Sequence, residues 1–96
     1  MNLEKKINET EKAINGKGII IDPNGFIYRL AVNCFGEARL CMNRFLIEEN
    51  TIVGNAIDEA THDYKNPEDA IREFERIKAQ PGMVWRQDDR VFYSKG

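Results

Sequence analysis

Arg72 and Arg76 stand four residues apart, a spacing that sets both guanidiniums on one side of a helix. Each carries five N–H donors in a fixed fork, a geometry suited to phosphate or carboxylate oxygens. Glu68 lies four residues before Arg72 and Glu73 three before Arg76, so by spacing alone ordinary surface ion pairs are the plainer reading of the same residues. Arg29 and Arg44 form a second cationic pair if the strands that hold them align, and like charges directly across a sheet call for an anion or carboxylates between them. Residues 48–69 are acidic, with Glu48, Glu49, Asp58, Glu59, Asp63, Glu68 and Asp69 against Lys65 as the one fixed cation. Such a stretch is either a solvated face or a surface that fills a partner's basic groove. Glu59 and His62, with Asp58 and Asp63, make a carboxylate and imidazole metal site only if their segment is helical. With a single His and no Gly-rich phosphate loop, neither a nucleophilic triad nor a nucleotide-hydrolysing site can be assembled, so no catalytic residue, cofactor or metal is expected.

These side chains need elements to hold them. Residues 66–80 read as a helix: Asn66 is an N-cap, Pro67 suits the first position, and Glu68 and Asp69 meet the positive end of the macrodipole. Ala70, Ile71, Phe74 and Ile77 form its apolar stripe and Pro81-Gly82 ends it, so Arg72 and Arg76 point away from the core. Residues 2–15 read as an amphipathic helix with Leu3, Ile7, Thr10 and Ile14 on one side and Gly16 as its cap. Ile19-Ile20-Ile21 is a β-branched run before the turn Asp22-Pro23-Asn24-Gly25. Residues 26–33 alternate, with Phe26, Tyr28, Leu30 and Val32 on one face and Ile27, Arg29, Ala31 and Asn33 on the other. Gly36-Glu37 suits a two-residue type II′ hairpin, whose register pairs residues summing to 73. That register sets Arg29 across from Arg44 and puts Cys41, Asn43, Phe45 and Ile47 with Tyr28 and Leu30. The following strand runs from about 38 to 48, although residues 38–40 would also suit a helix. Residues 51–53 start another strand; residues 54–64 fit a strand or a helical face, and Gly54 favours the strand. Residues 83–86 and 90–93 read as two short strands, with Trp85 near Phe92 if the turn is Asp88-Asp89. The expected class is α+β, a mostly antiparallel sheet with an N-terminal helix and a second helix near the C-terminus, in a single domain spanning 1–96.

With 96 residues, 31% of them charged, the chain has the make-up of one folded unit rather than a disordered one. Its apolar runs stop at three residues, too short to span a bilayer, and its start lacks the pattern of a signal peptide, so a cytoplasmic location is expected. A net charge of −2 argues against a broad nucleic-acid footprint. Cys34 and Cys41 lack metal-ligand spacing and read as reduced thiols.

At Phe45, Asn55, Arg72 and Arg76 the chain resembles a family of small phage proteins that defeat the Thoeris defence system by sequestering its cyclic ADP-ribose-type signal. In that family an aromatic residue, an Asn about ten residues on, and an Arg pair four apart on a late helix contact the ligand. The spacing here, Phe45-x9-Asn55-x16-Arg72-x3-Arg76, is similar. The family's pocket holds a further arginine from an earlier strand, for which Arg29 is the nearest candidate although it falls at a different spacing. The resemblance covers roughly residues 26–80 and implies a non-catalytic sponge in the cytoplasm of an infected bacterial host. It also implies homodimers with ligand at the subunit interface, and in some relatives trimers of dimers that bind cyclic di- or trinucleotides as well. In such a site Phe45 would stack on the base, Asn55 would both donate and accept, and the guanidiniums would take the pyrophosphate. The inferred register sets Phe45 on the more apolar face, so either that face forms the pocket near its edge or the face assignment is wrong. The alternative is an acidic inhibitor that uses residues 48–69 to block a host nucleic-acid-handling, CRISPR-like partner.

Overall fold

A computed structural model describes the backbone of residues 2–49, 51–87 and 91–95 and the side chains of residues 2–44, 49 and 60–86. The elements in chain order are α1 (Leu3–Ile14), β1 (Ile19–Ile21), β2 (Phe26–Val32), β3 (Ala38–Glu48), β4 (Thr51–Tyr64), α2 (Pro67–Lys78), β5 (Met83–Gln87) and β6 (Val91–Lys95). The six strands form one antiparallel sheet in the order β4-β3-β2-β1-β5-β6. This is the expected α+β class, with one helix before the strands and a second near the C-terminal end.

Both helices begin as their sequences dictate. The Asn2 side-chain oxygen accepts from the N–H groups of Glu4 at 2.9 Å and Lys5 at 3.4 Å, and that of Asn66 accepts from Glu68 at 3.0 Å. Each cap satisfies donors that the first turn leaves without a carbonyl. The helices then pack on the same face of the sheet. Phe74 and Ile77 of α2 bury against Ile20 and Met83, with Tyr28, Leu30, Leu40 and Trp85 around them. Ile14 of α1 and Ala70 of α2 meet Ala38 beside Val32, Tyr64 and Ile71. Removing each large side chain here from water contributes about 1.5–3 kcal/mol. Thr10, expected on the stripe of α1, is buried, whereas Leu3 is half exposed.

The β1–β2 turn forms as expected. The Asp22 carboxylate accepts from the N–H groups of Asn24 at 2.8 Å and Phe26 at 2.9 Å, and Gly25 N–H donates to the Asp22 carbonyl. The β2–β3 hairpin departs from the two-residue turn. The Asn33 side-chain oxygen accepts from Phe35 N–H at 2.9 Å and Glu37 N–H at 3.0 Å, while Asn33 N–H donates to the Glu37 carbonyl. Residues 34–36 are therefore the loop, closed by Gly36 at φ 76, the three-residue hairpin that ends in a left-handed glycine. The pairs sum to 70, from Phe26↔Arg44 to Val32↔Ala38. A shift by an odd number turns every β3 residue to the other face. Cys41 and Asn43 thus share the face of Ile27 and Arg29, not that of Tyr28 and Leu30, and Arg29 lies across from Cys41 instead of Arg44. Arg44 pairs instead with Phe26, its guanidinium carbon 5.7 Å from the ring centroid.

Residues 51–64 are one strand, as Gly54 suggested. Its register with β3 breaks twice: the step from Met42 to Asn43 spans two residues of β4, and the two steps from Arg44 to Leu46 span four. Both breaks put extra residues on β4, the pattern of β-bulges. In the C-terminal hairpin Trp85 pairs with Tyr93 rather than Phe92.

Candidate functional site

The stripe of Ala70, Phe74 and Ile77 faces the sheet, which turns Arg72 and Arg76 outward with side chains 77% and 60% exposed. Arg72 Nη1 lies 3.1 Å from Asp69 Oδ1, so its partner is Asp69 and not Glu68. Arg76 makes a forked contact with Glu73 through Nε and Nη2. That contact holds the Glu73 carboxyl below its ordinary range and raises Arg76 further. Burial, then the Glu73 carboxylate, keeps the nearby Tyr64 hydroxyl protonated beyond the usual phenol range, with Arg76 opposing. Among the described residues, the outward face of α2 is thus an exposed cationic pair tethered to carboxylates of its own helix, pairs that contribute little in water and that a stronger anion can displace.

Phe45 and Asn55 lie elsewhere. Phe45 is at the second register break, and Asn55 falls in the stretch of β4 that spans it. The backbone therefore brings these two positions to one part of the β3–β4 ribbon, while their side chains are outside the described residues. α2 packs near the opposite end of that ribbon, where Ala38 pairs with Tyr64 beneath Ala70 and Ile71. Phe45 lies seven residue steps along β3 from Ala38, about 23 Å at roughly 3.3 Å per residue. The backbone therefore sets the Phe45 and Asn55 positions along the ribbon away from the end that packs on α2.

Arg29 occupies the sheet face away from the helices, where its Nε donates to Asn43 Oδ1 at 3.2 Å. It also borders a cavity of about 430 Å³ that opens where β1 stops short of β2. Arg86 borders the same cavity, because both arginines pair across β1 with Ile19. Arg86 drew no attention in the sequence: its neighbour in space is 57 residues away in the chain, and no local pattern joins strands so far apart. His62 sits on a strand instead of a helix, its ring 4.4 Å from that of Tyr64, so the helical spacing that a Glu59 and His62 metal site requires is not there. Among the described residues no cluster of three metal-ligating side chains occurs.

Compared with protein families, characterised proteins and solved structures, the chain has no match.

Proposed function

We propose that the chain is a non-catalytic sponge that binds a cyclic ADP-ribose isomer, and with it cyclic oligonucleotides, and so blocks Thoeris-type signalling in the cytoplasm of an infected bacterium. The observation that carries this reading is the outward arginine pair of α2, exposed and, among the described residues, held by Asp69 and Glu73 on the same helix. A pyrophosphate offers such guanidiniums stronger, charge-assisted hydrogen bonds than a lone carboxylate does. The site draws Phe45 and Asn55 from a second copy, because their positions lie along the β3–β4 ribbon away from the end that packs on α2. Support for the ring and the amide comes from the family resemblance alone.

Calorimetric titration with cyclic ADP-ribose isomers tests it. Wild type binds one isomer, and Arg76→Ala weakens binding about a hundredfold, the loss of a charged hydrogen-bond pair of roughly 3 kcal/mol. Heating the loaded protein then releases the isomer intact. Release of a hydrolysed product would replace the sponge with an enzyme, and no heat with any isomer would end the reading.

The second reading, an acidic inhibitor of a nucleic-acid-handling protein, is favoured by β4. It is one of the sheet's two edge strands, residues 60–63 are exposed, and the hydrogen bond from Arg39 holds Asp63 ionised below the ordinary carboxylate range. Capture of a basic host protein that is lost on charge reversal at residues 58–63 and kept in Arg72→Ala would favour it over the sponge.

A further inference from the structure

β1 is three residues long and β2 seven, so the sheet has a notch beside residues 30–32 of β2. In an antiparallel pair each residue sends both its N–H and its C=O to one side. Asn33 N–H bonds to Glu37, so odd-numbered residues of β2 face β3; Asp22 N–H bonds to the Phe26 carbonyl, so even-numbered residues face β1. Tyr28 finds Ile20 there. Leu30 and Val32 face the line that β1 has not yet joined, because its approach is turned aside at Gly16 and Gly18, with φ 80 and 77. The open cavity of about 430 Å³ lies along these two residues, a volume in the size range of ligand sites.

Its two sides differ in chemistry. Toward the helices it is lined by Ile14, Leu30 and Val32, with Glu11 and the negative end of the α1 dipole nearby. Toward the other face it is lined by Arg29 and Arg86, with Ala31 leaving room beside them. A strand edge alternates donor and acceptor. An inorganic anion would meet a carbonyl at every second group, whereas an extended peptide satisfies both, and its side chains alternate between the two faces.

From this we infer that the notch takes an extended peptide segment of about three residues, the length opposite residues 30–32. The segment adds to the edge of β2, with apolar side chains toward Ile14 and Val32 and an acidic side chain toward Arg29 and Arg86. This binding is separate from nucleotide capture at α2.

The probe is an acetylated and amidated hexapeptide of alternating valine and glutamate, titrated into the full chain while the backbone amide resonances are followed. Saturable shifts at Leu30 and Val32 are expected. Binding weakens about tenfold in Arg29→Gln and with the valine–lysine peptide, and stays unchanged in Arg76→Ala. N-methylation of alternate peptide amides abolishes binding in one of its two phases, a result that depends on no protein variant. Equal binding of the lysine peptide would overturn the inference, as would no shift at millimolar peptide. Saturation of the same resonances by inorganic phosphate or ADP without peptide binding would make the notch a small-anion site instead.

Discussion

Thr10 ties α1 to the hairpin that carries the register. Its hydroxyl lies 2.6 Å from the Gly36 carbonyl and 2.9 Å from that of Lys6, with one proton to donate. Thr10→Val keeps the shape and leaves the buried Gly36 carbonyl without its donor, so chemical unfolding should show a loss of about 1–3 kcal/mol. A threonine in a stripe of Leu3, Ile7 and Ile14 looks like a tolerated polar substitution, and only the loop brought against it makes it a hydrogen-bond donor. Asn33 is a similar case. As a letter in an alternating run it reads as one more strand residue, yet its side chain collects two loop amides and so decides where the hairpin closes. The types of the functional candidates were plain in the sequence; their neighbours were not. Arg72 and Arg76 are outward as the helical spacing required, whereas the relation of Arg29 to Arg44 rested on a register that Asn33 changed.

α2 is the element most fully legible, because cap, proline, stripe and stop all agree with its final packing. It also carries a pH response. The forked bond from Arg76 lowers the Glu73 carboxyl from its ordinary value of 4.5. For Glu75 burial alone would raise the carboxyl, and the ammoniums of Lys78 and Lys17 outweigh it, so it too is lowered. A carboxyl lowered in the folded state contributes stability above its ordinary value and loses that contribution as pH falls through the lowered one. Urea unfolding should therefore show constant stability from this source at neutral pH and a decline below about 4.5. In Glu73→Gln the decline is shallower, and an unchanged slope would assign acid sensitivity to other groups. β3 and β4 were legible as strands but not in register. β4 carries extra residues that no alternation rule foresees, since a bulge is set by the strand opposite.

At the scale of the molecule, the sheet holds both helices on one face, and no helix among the described residues is long and apolar enough to cross a membrane. Past Arg44 no further β2 residue pairs with β3, which runs on with β4 alone as a two-stranded ribbon. An isolated ribbon of this kind is marginal in water, which favours cover by another copy. Sedimentation velocity at micromolar concentration should show a dimer or larger. A strictly monomeric species would remove the pocket shared between copies. β1 has a further consequence. Its three residues pair on one side with residues 27–29 and on the other with residues 84–86, so Ile20 is joined to Trp85 across 65 positions of chain. Contacts so distant in sequence close late, after the local hairpins have formed. On the ribosome, β1 to β4 can pair as each emerges, but the strand at the centre of the sheet keeps one open edge until residue 86 has been translated.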